Sequence, residues 1–244
     1  VQNNKSKKVK AEINELPVMG NLLEIKTFQG KLQVSPKLFA TCIVIDSLEN
    51  KKRFSVTRDF NANVFRYPVI APAANYEQQV PYKISTAVTL NLLTDTLHRT
   101  VDVIHMEMPQ SAKTIYNINK DSVLKEMMLP SDNFIAEQLL LVYSDQLSST
   151  LSSQLAIQHI KDNYLKDMPD KPVWVDGSGL SRANLFTPRS MVALLKMIYK
   201  EVGNQQRLFD MLPAGGKSGT LKNAYPATNQ PFVYGKTGTL SNVH

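Results

Sequence analysis

The chain has 244 residues, 43% of them hydrophobic and 20% charged, with a formal charge of +7 and a pI near 9.3. This much apolar content excludes a disordered chain. The single cysteine, Cys42, excludes an internal disulfide framework, and no apolar run reaches the roughly 20 residues of a membrane-spanning helix. The excess positive charge reads as a solvated basic surface, and no nucleic-acid partner is expected.

The first eleven residues carry Lys5, Lys7, Lys8 and Lys10 and predict a frayed, solvated arm. From Leu16 to about Ile70, apolar and β-branched runs (LPVMGNLLEI, LFATCIVID, KRFSVTR) alternate with turn-like SLENKK and DFNAN. This spacing predicts a β-rich unit of short strands, with no catalytic constellation in it. Cys42, inside an apolar run, reads as a buried structural thiol. Residues 68–82 contain several Pro and Ala with little periodicity and read as a connector. A helix is predicted over Ile84–His98, followed by a strand through TVDVIHMEM. His98, Asp102 and His105 mimic metal-ligand spacing on a helix, but a strand there scatters them, so no metal is expected.

Residues 119–129 predict a second helix, with Ser122 in a helix-start pattern where capping is its routine role. Pro130-Ser131 opens a third, with Ile135, Leu139 and Val142 on its buried face and the triplet Ser131-Asp132-Asn133 in its first turn. Another helix is read over 149–166, with His159 packed or solvated rather than catalytic. PVWV at 172–175 predicts a short strand leading into Asp176-Gly177-Ser178-Gly179, whose two glycines suit a tight turn lining a cleft. Thr187-Pro188 supplies an N-cap and first-turn proline. The helix it starts carries Met191, Leu194, Leu195 and Ile198 on one face and stops at Gly203.

The chain closes on PFVYGKTGTLSNVH. Phe232, Val233 and Tyr234 predict a strand that runs into Lys236-Thr237-Gly238-Thr239. On a strand, Thr237 and Thr239 share one face, and Gly238 leaves the backbone open to a ligand. With the Lys236 charge, this set can hold a carboxylate and offer a backbone N–H to a developing oxyanion. Lys217-Ser218-Gly219-Thr220 imitates it, but Gly215-Gly216 precede that copy, so Lys236 is the preferred one.

Three ordered stretches carry a resemblance: Ser131-Asp132-Asn133, then DGSGLSR at 176–182, then Lys236-Thr237-Gly238. In this order they resemble the D-alanyl-D-alanine carboxypeptidases/endopeptidases of the class C penicillin-binding protein family. The likeness is good over about residues 115–244 and loose before. It implies an α+β, β-lactamase/transpeptidase-like fold, here partial. Residues 1–112 would be a β-rich inserted accessory region and residues 113–244 the C-terminal part of the penicillin-binding domain. The implied activity is serine-type hydrolysis of D-Ala-D-Ala peptides through an acyl-enzyme, without a cofactor. Peptidoglycan stem peptides would be the substrates and β-lactams the inhibitors, in the periplasm or otherwise outside the cytoplasm. By motif, Ser131 relays a proton towards the leaving amine and Asn133 bonds the substrate carbonyl. Lys236 attracts the terminal carboxylate and polarises Ser131, Thr237 and Thr239 bind that carboxylate, and the Thr239 N–H joins the oxyanion hole.

The sequence departs from the family in its nucleophile. Only Ser122-Val123-Leu124-Lys125 fits Ser-x-x-Lys, nine residues before Ser131, whereas the family places that motif far upstream. The chain is therefore expected to be a fragment that holds half of an active site and does not acylate alone. The competing readings are a non-catalytic peptidoglycan-binding module and a β-lactamase-like hydrolase. Against the latter stand the DGSGLSR stretch and the β-rich region.

Overall fold

The computed structural model describes residues 11–47, 52–107, 109–113, 115–226 and 229–238. The basic arm and Thr239 lie outside the described residues. Packing divides the chain into two units, residues 1–110 and 111–244.

The first unit is built on β1 (Leu22–Phe28), along which Leu23 and Ile25 alternate into the core. β1 pairs antiparallel with β2 (Lys31–Ser35) on one side and β6 (Glu77–Pro81) on the other. A second sheet has β5 (Phe65–Pro68) at its centre, parallel to β3 (Ile43–Asp46) and antiparallel to β4 (Thr57–Arg58). Gln78 of β6 acts as a substitute strand partner for the other sheet. Its amide accepts from Val56 N at 2.9 Å and donates to Val56 O at 2.8 Å. Phe39, Phe65 and Tyr82 fill the core with ring centroids 5.6 and 4.9 Å apart. Burial pushes the Tyr82 phenol up to about 12, and its hydroxyl donates to Val18 O at 2.5 Å. Helix α1 (Thr86–Leu97) follows, started by Ser85, whose Oγ accepts from Val88 N.

Three expectations change here. Residues 68–82 are not a plain connector, because they contain β6. This strand sits at a sheet edge, where Pro81 can end it without a lost ladder bond. The stretch 101–107 is not a strand, and Ile104 is 74% exposed. β-Branched residues make a strand only where they find packing partners. Cys42 ends a 3-10 turn (Lys37–Cys42) and is only half-buried.

In the second unit, Asn119 caps α2 (Lys120–Met128) by accepting from Asp121 N at 2.8 Å. Ser122 therefore stands inside the first turn instead of capping it. Asp132 caps α3 (Asn133–Ser148), accepting from Ile135 N at 2.9 Å. The face that α3 buries is Leu140, Leu141 and Ser144, while Val142 is 57% exposed. Apolar residues surround α3 on most sides, so periodicity alone does not select a stripe. Packing by α4 (Ser153–Asn163) does, through Ala156 and Ile157 against Leu140. Ser144 ties the joint, its Oγ accepting from Ser152 N at 2.8 Å. His159 is half-buried, and its Nδ1 lies 3.0 Å from the Tyr143 hydroxyl.

The predicted strand at 172–175 reduces to a single bridge, Val173 with Leu185. Helix α5 (Pro188–Val202) has its expected ends. Thr187 Oγ1 accepts from Ser190 N, Pro188 opens the first turn, and Gly203 takes the left-handed conformation at φ 64°. Its apolar face remains open among the described residues, with Leu195 58% exposed. A short helix α6 (Gln205–Asp210) follows, capped by Asn204.

Candidate active site

Ser131 stands in the four-residue joint between α2 and α3. The Asp132 N–H donates to Met127 O at 2.8 Å and so closes the end of α2, and Asp132 then opens α3. Both constraints act on the one residue between them, which is forced into the left-handed region at φ 64°. Glycine is usual at this point of a helix end. A serine there costs on the order of 1 kcal/mol, a strain that functional positions tend to hold.

Lys236 reaches this joint from the other end of the unit. Its Nζ donates to Ser131 Oγ at 2.6 Å and also to Thr237 O. The residue as a whole is exposed, but its ammonium end is partly withdrawn from water, and this lowers its pKa below the ordinary lysine value. The segment is held by a short antiparallel pairing. Gly215 N donates to Val233 O at 2.9 Å, and Gly235 N donates to Pro213 O at 3.0 Å around the Ala214–Tyr234 bridge. Tyr234 stacks on Phe209 with centroids 4.2 Å apart. The strand expected over Phe232–Tyr234 is thus only a bridge among the described residues. Thr237 Oγ1 donates to Thr220 Oγ1 at 2.8 Å. Among the described residues, nothing lies within 4 Å of where a Cβ on Gly238 would be, so they leave the backbone there open. Asn133 is the exposed first residue of α3, two positions after Ser131.

The DGSGLSR stretch forms a turn that is internally bonded. Asp176 accepts from Gly179 N at 2.8 Å, Ser181 N at 2.9 Å and Asn184 Nδ2 at 2.8 Å. Glu137, one helical turn after Asn133, accepts from Gly177 N and Ser178 N and fastens the turn to α3. Sequence reasoning missed both Glu137 and Thr220. Glu137 had a signal, as a lone carboxylate in the apolar run FIAEQLLL. Thr220 belongs to the stretch that imitates the Lys-Thr-Gly triplet.

Ser122 and Lys125 lie elsewhere in the unit. They line a cavity of about 400 Å³ with Asp121, Asn204 and Arg207, and neither Ser131 nor Lys236 is among its lining residues. Arg207 closes one side, donating to the Asp121 carboxylate at 2.6 and 2.7 Å. Among the described residues, no group of three or more His, Cys, Asp or Glu side chains is placed to hold a metal, and no helix is long and apolar enough to cross a membrane.

An ammonium beside two hydroxyls and an open backbone is chemically suited to gripping a carboxylate, and an ammonium bonded to a serine hydroxyl is suited to polarising it.

The fold is that of the penicillin-binding proteins. Two crystal structures of penicillin binding protein 4 from Haemophilus influenzae, one complexed with a β-lactam, match with TM-scores of 0.63 and 0.62 at 20% identity. They cover 90% of this chain and 56% and 54% of theirs. The α+β, transpeptidase-like class expected from the motifs is the observed one. Residues 86–244 match the D-Ala-D-Ala carboxypeptidase 3 (S13) family, and the chain belongs to that family. Among its relatives, the penicillin-sensitive carboxypeptidase A of Dictyostelium discoideum is 32% identical over 130 residues. The D-alanyl-D-alanine carboxypeptidase DacB of Haemophilus influenzae is 33% identical over 128 residues. Each alignment takes in 50% of this chain but only 24% and 26% of the relative, so the chain matches about a quarter of their length.

Proposed function

We propose that this chain carries the Ser131–Lys236 half of the active site of a serine-type D-Ala-D-Ala carboxypeptidase. Residues 1–112 are an accessory region, and residues 113–244 are the C-terminal part of the penicillin-binding domain. The observation that carries the reading is the 2.6 Å bond from Lys236 Nζ to Ser131 Oγ, formed between two motif residues 105 positions apart. Ser131 passes a proton to the departing amine, and Asn133 bonds the substrate's peptide carbonyl. Lys236 and Thr237 hold the free carboxylate. Gly238 lets the substrate lie against the backbone, and the Thr239 N–H contributes to the oxyanion hole. Loss of one such donor slows acyl transfer by about a hundred- to a thousand-fold. The substrates are peptidoglycan stem peptides met outside the cytoplasm, and β-lactams acylate the same nucleophile. Neither that nucleophile nor its base is assigned within these 244 residues.

Intact-mass measurement after incubation with benzylpenicillin tests this, on the chain alone and on a full-length protein that contains it. An adduct on the full-length protein only is the expected result. An adduct on the chain alone overturns the fragment reading and returns Ser122 as nucleophile. No adduct on either leaves a non-catalytic peptidoglycan-binding module.

A further inference from the structure

We propose that Thr220 is a positioning residue for Thr237, and that the turn Gly219–Leu221 sets the spacing between the two halves of the candidate site. The proposal rests on the carboxylate-binding role given above to Lys236 and Thr237.

The turn touches both motif elements. On one side, Thr220 N donates to Leu129 O at 3.1 Å, two residues before Ser131. On the other, Thr220 Oγ1 accepts from Thr237 Oγ1 at 2.8 Å. Between them Gly219 is wedged at φ +59°, where an added Cβ would come within 2.7 Å of Leu129 O and 3.0 Å of Pro213 Cβ. Pro213 O in turn accepts from Gly235 N, immediately before Lys236. The turn therefore has little freedom to shift. The distance from the Ser131 joint to the Lys236 segment passes through its backbone.

This placement has a chemical consequence. A threonine hydroxyl rotates freely unless a partner fixes it. By receiving the Thr237 proton, Thr220 holds the Thr237 hydroxyl oxygen in one rotamer, next in the chain to Lys236. When a carboxylate arrives, Thr237 can turn its proton to the ligand and accept the Thr220 proton in exchange, so that its oxygen stays in place. The ordering cost of binding is then smaller, so the effect should appear in affinity for the carboxylate and not in the chemical step.

The test uses the full-length protein and an acylated D-alanyl-D-alanine peptide, with the same peptide amidated at its C-terminus as the probe of carboxylate recognition. Thr220→Val should raise KM for the free acid about two- to tenfold, the size of one hydrogen bond. It should leave kcat and the amide's kinetics unchanged, and Thr220→Ser should restore KM. In a Thr237→Val background, Thr220→Val should have no further effect. An unchanged KM in Thr220→Val, or fully additive effects of the two substitutions, overturns the proposal while the carboxylate-site reading stands. If the unaltered protein does not prefer the acid to the amide, that reading falls and the proposal falls with it.

Discussion

The Glu137 carboxylate on α3 accepts the backbone N–H of Gly177 at 3.1 Å and that of Ser178 at 3.2 Å. Gly177 also packs so closely on α3 that a Cβ would stand 2.7 Å from Ala136 O and 2.9 Å from Leu140 Cδ1. The two contacts fix the DGSG turn to the helix that begins at Asn133.

Replacing Gly177 by Ala should destabilise the second unit by about 1–3 kcal/mol, because the obstacle is helix backbone that cannot give way. At Gly179 no described residue comes within 4 Å of an added Cβ, and Gly179→Ala should cost only the strain of its φ of +70°, roughly 1 kcal/mol. Denaturant unfolding of the two variants checks the order. Equal losses would show that the turn is not clamped on α3.

Ser131 holds a glycine's place in the α2–α3 joint. Ser131→Gly should keep stability or raise it by up to about 1 kcal/mol, since the left-handed strain is removed. Acylation by penicillin in the full-length protein should fall sharply. A variant that is both destabilised and fully active would show Ser131 to be a structural residue alone.

Lys236 should lose its charge at a lower pH than an ordinary lysine, because partial burial disfavours the ammonium. Carboxylate recognition should fade as pH rises through this lowered value. A titration of the Lys236 amine by NMR, read beside peptide binding, measures both. An amine that titrates at or above the ordinary lysine value of about 10.4 would remove the burial argument.

Asp170 gives the fold a dependence on acid. The Arg189 guanidinium and then the Thr187 hydroxyl, which donates at 2.6 Å, hold its carboxyl down to about 2. A carboxyl lowered by folding stabilises the protein above its unfolded value of about 3.9, and that contribution is lost as pH falls towards the folded value. Ser190, buried at 2% exposure, also joins Asp170 to the start of α5 through its backbone. Thermal unfolding between pH 5 and 2 should therefore be less steep in Asp170→Asn than in the unaltered protein. Identical slopes would mean that the ion pair contributes nothing to the acid dependence.

The sequence by itself determined the features that depend on near neighbours. Thr187-Pro188 and Gly203 bound α5 because capping hydroxyls, a first-turn proline and a left-handed glycine act within a few residues. The ordered triplets at 131–133 and 236–238 were legible for a similar reason, since each is a local run. What tertiary structure decided was anything needing a partner far along the chain. Val142 faces out because α4 covers Leu140 instead, 101–107 stays out of both sheets, and β6 exists because β1 offers an edge. Ser131 became the left-handed joint of two helices only when both helices were in place. Thr220 and Glu137 gained their roles the same way, since a hydrogen bond across 17 or 40 residues leaves no period or spacing in the sequence to be read.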